Sequence, residues 1–306
     1  MWSWPVTPHA EPRVTVLVIT HDRRHELLHT LDRLAELPER PPVVVVDNGS
    51  TDGTAHAVAH RHPEVTLLRP GANLGAVGRN LGARHITTPY IAFCDDDTWW
   101  EPGSLGRAVD LLDAHPEVAT VTARIVVEPD GREDPIVEEL RHSPLPRPAG
   151  LPGPALGSFL AGATVLRADV FRRAGGFSPR LWLGGEEELL AADLMAAGRW
   201  LLFDEEMLVH HRPSTLRDPT RRRADGIRNT LWFTWLRRTP RSALRRTAAV
   251  LGSVPRDLTT ARALARAAAG IPWVLRERRS LPVEVDRRLT LLEEAQRTSK
   301  ARRYVG

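Results

Sequence analysis

Two short β-branched runs set one helix apart constrain this chain most: VTVLVIT (Val14 to Thr20) and VVVVD (Val43 to Asp47), separated by HELLHTLDRLAEL and the turn pair Pro41 and Pro42. Runs that are apolar at every position, rather than at alternate ones, belong to strands covered on both faces, as in a parallel sheet. The leucines between them recur at helical spacing, so the unit reads as βαβ, and such crossovers are right-handed. The pattern continues with GSTDGTAHAVAHRH as loop and helix, VTLLR as a strand, NLGAVGRNLGARHI as a helix and YIAFCDDD as a fourth strand. Four strands with intervening helices predict a doubly wound α/β half. Ligands of such sheets sit at the carboxyl ends of the strands, where Thr20, Asp47, Arg69, Asp95 and Asp97 stand in this sequence.

Beyond the fourth strand, LGRAVDLLDAH reads as a helix and VATVTARIVV as a strand. A Pro- and Gly-rich stretch from Glu128 to Gly157 follows, either a mobile loop over the site or a long connection. FLAGATVLRADVFRRAGGF is expected to form a strand and a short helix, GGEEELLAADLMAAG a helix, and WLLFDEEMLVHH a strand pair. From Pro213 onward, Arg-rich helical segments are broken by Pro240, Pro255, Pro272 and Pro282. Charge divides at the same place. Residues 1 to 211 hold 19 arginines and 30 acidic residues, whereas residues 212 to 306 hold 23 basic and 8 acidic ones. A basic tail of this kind either meets an anionic surface or packs on its own acidic body.

Several function classes drop out on composition. Lys300 is the only lysine, which removes P-loop, Schiff-base and kinase-type lysine chemistry. Cys94, the single cysteine, precludes a disulfide framework, fits a reducing compartment and reads as a small buried hydrophobe. The opening MWSWPVTPHAEPR lacks the pattern of a signal peptide, and no apolar stretch is long enough to span a bilayer. The expectation is a cytoplasmic protein, with peripheral contact at the inner face of the membrane as the variant that the basic tail suggests.

The densest chemical signal is CDDDTWW. Alternation along a strand would put Asp95 and Asp97 on one face, converging on a hard cation such as Mg²⁺ or Mn²⁺. The plain alternative is a solvated acidic turn. In VVVVDNGSTDGT, Asp47 and Asp52 are placed to accept hydrogen bonds from a ribose or a base edge, or else only to form a turn. LLRPGANLGAVGRNLGAR brings Arg69, Arg79 and Asn80 to a glycine-rich helix start suited to phosphate oxygens.

Taken in order, VTVLVITHDR, VVVVDNGSTDGT, NLGAVGRNLGAR, YIAFCDDDTWWEP, GATVLRADVFRRAGGF, GGEEELLAADLMAAG and VHH resemble the family-2 glycosyltransferases with the GT-A fold, over residues 13 to 215. The resemblance implies a Rossmann-like, doubly wound mixed sheet flanked by helices, preceded by a tail (1–12) and followed by a basic helical extension (216–306). It implies a nucleotide diphosphate sugar donor, with Asp47 and Asp52 at the nucleoside, and Asp95 and Asp97 as a DXD motif at ribose and metal. Asp96 joins the donor set, and Thr20, Arg69 and Arg79 lie along the nucleotide and diphosphate. The family carries an acidic pair where this chain has Glu186 and Glu187, and counting back from Gly198 aligns Glu187 with the catalytic base. A Glu in place of the usual Asp, and Leu189 where another acid is common, leave Glu186 open as the alternative. Three glutamates at a helix start are also favoured by the helix dipole alone.

His211 aligns with the histidine that completes a metal sphere in related enzymes, and His210 points the opposite way along a strand. Trp182 and Gly162 fall on the acceptor side, Trp182 as a stacking face or as core, while Trp99 and Trp100 read as core or loop anchors. The implied reaction is inversion by single displacement of a hexosyl or deoxyhexosyl group, with retention left open. The acceptor, whether a small molecule, a glycan or a lipid-linked group, is not named by any residue. A nucleotidyltransferase and a non-catalytic nucleotide-sugar-binding protein are the alternatives, and the acidic body argues against a nucleic-acid partner.

Overall fold

The strands predicted at Val14–Thr20 (β1) and Val43–Asp47 (β2) form over those residues, and their apolar side chains are buried on both faces: Val16, Leu17 and Val18 have no exposed surface. The computed structural model describes residues 11–213 and 219–296; the tail up to residue 10, and Lys300, lie outside the described residues. Helix α1 (Arg24–Ala35) buries Leu27, Leu31 and Leu34, the spacing that one helical face provides. Then follow α2 (Thr54–Arg61), β3 (Thr66–Leu68), α3 (Gly78–His85), β4 (Tyr90–Asp95), β5 (Thr98–Trp100), α4 (Ser104–Ala114) and β6 (Val118–Val127). The rest of the body comprises β7 (Arg132–Glu133), α5 (Ile136–Arg141), β8 (Thr164–Arg167), α6 (Ala168–Arg173), α7 (Glu186–Ala196) and β9 (Trp200–His211). The sheet runs β3-β2-β1-β4-β8-β6-β9-β5, with β7 on β6. Its first four strands are parallel, β8 is antiparallel to both neighbours, and β6 and β9 are parallel again. This is the mixed, helix-flanked sheet expected of the GT-A class.

Two local expectations change. The segment WLLFDEEMLVHH is one strand, not a pair, with its register against β6 broken between Ala123 and Arg124. Asp204 is the reason. Its buried carboxylate accepts from the amides of Glu206 and Met207, both at 3.0 Å, and from Nε and Nη2 of Arg107, so the extra residues loop out within the strand. Replacing Asp204 by Ala strands those donors, and the expected loss is about 2–4 kcal/mol in urea unfolding. The stretch 128–157, in turn, is more than a bare connection. It forms β7 and α5, buries Val137, Leu140 and Leu151, and bridges to β9 through Ala155 and Leu202. Arg141 ties it down by pairing with Glu133, Glu138 and Glu205.

Among the described residues five helices follow: α8 (Pro219–Arg237), α9 (Pro240–Ser253), α10 (Leu258–Ala269), α11 (Ile271–Glu277) and α12 (Val283–Gln296). Phe233, Leu236, Val274, Val285 and Leu289 from these helices, and Leu281 between α11 and α12, join the same apolar core as the sheet. Arg237 grips Asp193 with two hydrogen bonds of 2.5 and 2.9 Å, and Arg246 reaches Glu188 at 2.9 Å. Of the two readings of the basic tail, packing on the acidic body accounts for these arginines.

Candidate active site

Register brings the strand ends together: Thr20 pairs with Asp47 across β1 and β2, and Ile19 pairs with Asp95 across β1 and β4. Asp47 is 1% exposed, and one carboxylate oxygen accepts from the Ser50 amide at 2.8 Å. The other oxygen is buried with no hydrogen-bond partner among the described residues, and the Arg69 guanidinium approaches it only to 4.0 Å. An ionisable oxygen sealed from water without a donor is costly, about 1–3 kcal/mol, unless a bound N–H or O–H reaches it. Asp52, grouped with Asp47 in the sequence reading, is spent locally. Burial pushes its carboxyl up, but the Thr54 hydroxyl at 2.5 Å and then the amides of Arg24 and Thr54, both at 3.0 Å, outweigh that and hold it below the usual range. It closes the turn before α2.

The three acids of the DDD run do not alternate along a strand. Strand β4 stops at Asp95 and the chain turns through Asp96 and Asp97 before β5, so turn geometry and not the pleat sets each direction. Asp95 is the exposed member, its side chain 42% accessible, and it is ion-paired to Arg79. Arg79 is itself 3% exposed and lies over the Phe93 ring, which makes it a buried counter-ion beneath Asp95 and not a surface group reaching for phosphate. Asp96 faces inward, accepting from Thr20 at 2.8 Å and from Arg23 at 2.9 Å. Burial pushes its carboxyl up to about 7 even against the Arg23 charge. Arg23 also holds one oxygen of Asp97 at 3.0 Å. Sequence reasoning missed Arg23, although the arginine pair Arg23 and Arg24 just past the end of β1 was a usable signal.

The adjacent histidines divide as strand alternation requires. His210 stacks on Trp99 and gives its ring nitrogens to Glu101 and Glu128, each at 2.7 Å. His211 faces Asp97, with Nε2 3.8 Å from Oδ1. A cation bound at about 2.1 Å to each atom spans that separation. The third proposed ligand, Asp95, is turned to Arg79, and among the described residues no group of three His, Cys, Asp or Glu side chains can hold a metal. The donor set therefore suits a Mg²⁺-like ion that takes one or two protein ligands and fills its shell with phosphate and water, not an all-protein cage. Cys94 plays no part: it is fully buried, and burial pushes its thiol pKa upward.

Helix α7 separates its three leading glutamates. Glu188 turns to Arg246. Glu187 accepts from the Ala161 amide at 2.6 Å, while Glu186 is 4% exposed with one oxygen unpartnered among the described residues. The Ala161–Ala163 turn that orients Glu187 also carries Gly162, where a Cβ would lie 2.8 Å from an Asp95 oxygen. One backbone turn thus sets the distance between the exposed acid of the DDD run and Glu187. Burial, and then the charge of Glu186, push the Glu187 carboxyl well above the usual carboxylate range, and burial raises Glu186 as well.

The loop before α7 is fixed from two sides. The Trp182 carbonyl accepts from the Ala76 amide at 2.8 Å, its indole N–H donates to the Asn73 carbonyl, and Arg221 covers its ring at 4.6 Å. These contacts hold Trp182 at φ 60°, a left-handed conformation that a bulky residue adopts only under such constraint. One face of the proposed stacking platform is therefore taken by Arg221. From α8, the fully buried Asn229 aims its amide hydrogens at the carbonyls of Leu181, Leu183 and Gly184. Asn229 was also missed, its one signal being a polar residue on the apolar face of NTLWF. Because about 1 Å of misplacement can cost 100-fold, Asn229→Leu is expected to lower kcat by about 10- to 100-fold with nucleotide affinity retained. Steady-state kinetics beside a nucleotide titration check this.

The sequence profile described as Glycosyl transferase family 2 matches residues 15–175. The N-acetylglucosaminyl-diphospho-decaprenol L-rhamnosyltransferase of Mycobacterium tuberculosis is 29% identical over 263 residues, covering 71% of this chain and 82% of that one. The pre-mycofactocin glycosyltransferase of the same organism is 34% identical over 195 residues, covering 60% and 40%. Among solved structures, the mannosyltransferase PcManGT from Pyrobaculum calidifontis, in complex with GDP-Man and Mn²⁺, shares the fold with a TM-score of 0.59 at 22% identity, over 98% of this chain and 91% of that one. TarS of S. aureus aligns with a TM-score of 0.58 at 14% identity, over 94% and 53%.

Proposed function

From the premise that this chain belongs to glycosyl transferase family 2, and is a glycosyltransferase with a nucleotide-sugar donor, we propose that it transfers a hexosyl or deoxyhexosyl group to an acceptor hydroxyl with inversion, Glu187 acting as the base. The observation that carries this reading is the Ala161–Gly162 turn, which bonds Glu187 through an amide and abuts Asp95. Glu187 takes the proton from the acceptor hydroxyl as that oxygen attacks the anomeric carbon from the face opposite the leaving diphosphate. One base, oriented by a backbone N–H and kept basic by burial beside Glu186, serves this single displacement. Asp47 accepts from the nucleobase or ribose through its unpartnered oxygen, and Arg69 approaches from the exposed side. Asp95, held by Arg79, faces the donor sugar side, while Thr20, Arg23 and Asp96 act as positioning residues behind it.

Asp97 and His211 are the residues that would hold Mn²⁺ or Mg²⁺, and such an ion supplies charge stabilisation to the departing diphosphate. The neighbour with bound GDP-Man and Mn²⁺ shares this fold and is consistent with a divalent ion. Transfer assays with a panel of nucleotide sugars, read by release of the nucleoside diphosphate and by NMR of the new anomeric proton, test the proposal. Retention of anomeric configuration would remove the single-displacement mechanism.

Among the described residues, no helix is long and apolar enough to cross a membrane. Contact of the extension (216–306) with a membrane surface remains part of the proposal, on the cytoplasmic side. Support comes from exposed Leu258, Ile271, Leu275 and Val283 beside its arginines. Cosedimentation with anionic vesicles at low salt, lost in about 0.5 M salt, is the expected result.

A further inference from the structure

Helices α8 and α10 and the side chain of Trp182 enclose a groove of about 550 Å³ that the donor residues at the strand ends do not line. Its charged walls are Arg221, Arg228, Arg262 and Arg266, with Asp225 as the one carboxylate among the described residues. Asp225 is 8% exposed and already engaged, 2.8 Å from Arg228 and 3.8 Å from Arg221. Arg262 and Arg266 stand one helical turn apart on α10, and no carboxylate lies within ion-pair distance of either among the described residues. The Arg228 guanidinium is depressed by burial and then, against the pull of Asp225, by the charges of Arg266 and Arg221, so the cations crowd one another. Like charges held together on rigid helices are costly unless an anion sits between them, and guanidinium forks match phosphate oxygens.

The groove also adjoins the catalytic loop. Trp182 forms one wall and precedes Glu186 by four positions in the chain, and Asn229, next to Arg228, bonds the carbonyls that turn the chain into α7. An anion seated here lies against Trp182, in the loop that leads into α7 and Glu187. We propose that this groove binds the phosphate or diphosphate of a phosphorylated acceptor, so that Arg262 and Arg266 select acceptors bearing that group. The inference rests on the reading of Glu187 as the base of a glycosyltransferase. A volume of 550 Å³ accommodates a diphosphate with part of its attached sugar or chain. A flat membrane surface would instead meet the outward apolar side chains of α10 and α11, such as Leu258 and Leu275.

The test uses the full chain and the double variant Arg262→Ala/Arg266→Ala, whose positions are exposed and outside the catalytic set. Inorganic pyrophosphate, titrated calorimetrically in the presence of EDTA, is expected to bind wild type and to lose about 10- to 100-fold in affinity in the variant. In transfer assays, KM for a sugar diphosphate with a short alkyl chain is expected to rise by a similar factor. The kcat, the donor KM and transfer to the matched alkyl glycoside without phosphate are expected to hold. Equal pyrophosphate affinity in the two proteins overturns the proposal. So does loss of binding to phosphatidylglycerol vesicles with pyrophosphate binding intact, which would assign these arginines to a lipid surface. A lower KM for the lipid-like than for the soluble phosphorylated acceptor assigns the groove to a lipid-linked acceptor, and equal KM values assign it to a free one. If no nucleotide sugar is turned over on any acceptor, the glycosyltransferase mechanism fails, whereas a normal turnover that ignores the acceptor phosphate removes only the groove.

Discussion

Glu187→Gln is expected to lower kcat by about 10²- to 10⁴-fold, the usual contribution of a positioned general base, while thermal stabilisation by the donor nucleotide stays at the wild-type level. The amide keeps the shape and can still accept from the Ala161 N–H, so the loop is not disturbed. What is lost is the ability to take a proton. The same residue fixes the pH dependence. A base works deprotonated, and burial together with Glu186 raises the pKa of Glu187, so kcat falls as pH drops through that raised value. The acid limb should therefore lie above the ordinary carboxylate range. Removing the neighbouring charge in Glu186→Gln is expected to move that limb to lower pH, because the repulsion that disfavours a second ionisation is gone. If Glu186 were the base, the two variants would exchange phenotypes: Glu186→Gln would abolish turnover and Glu187→Gln would only shift its pH profile.

Local periodicity made the sheet legible. The runs at β1, β2, β4 and β6 are apolar at successive positions because both faces are covered, and that property is written in consecutive residues. The acidic and polar residues at the strand ends were readable for the same reason, since a strand that ends in Asp after four valines has its terminus marked. Directions of side chains were not. Asp95 and Asp97 were expected to share a pleated face, but the chain leaves the sheet at Asp95, and the partners that then orient each acid come from distant segments: Arg79 for Asp95, Thr20 and Arg23 for Asp96, Arg23 and His211 for Asp97. Arg79 illustrates the limit well. An arginine on a glycine-rich helix start reads as a phosphate ligand, and only the packing of α3 against Phe93 shows it sunk beneath an aspartate. Asn229 lies 42 residues from Glu187 and acts through backbone carbonyls, which carry no side-chain identity for a sequence pattern to register.

Asp97→Asn is expected to abolish the metal-dependent part of donor binding and to reduce turnover by about 10²- to 10³-fold, the scale of several kcal/mol that charge stabilisation of a leaving group provides. With Mn²⁺ and a nucleoside diphosphate at 100 times its dissociation constant, wild type should gain about 2.7 kcal/mol, a rise of roughly 5 °C in midpoint for a chain of this size. The variant, and wild type in EDTA, should show the same small residual shift. The comparison has force because Arg23 and His211, on the two oxygens of Asp97, are partners of different kinds. Arg23 already places a positive charge on one of its oxygens, and His211 faces the other without a hydrogen bond. If Arg23 were the only cation needed, Asp97→Asn would leave the guanidinium paired with Asp96, transfer would continue in EDTA, and Arg23→Gln would become the inactive variant. If the ion is required, His211→Ala should weaken its binding while keeping the Asp97 charge, so that turnover recovers at high Mn²⁺, and no metal concentration should rescue Asp97→Asn. Rescue of one variant and not the other separates a ligand that adds affinity from the carboxylate that makes the ion bind at all.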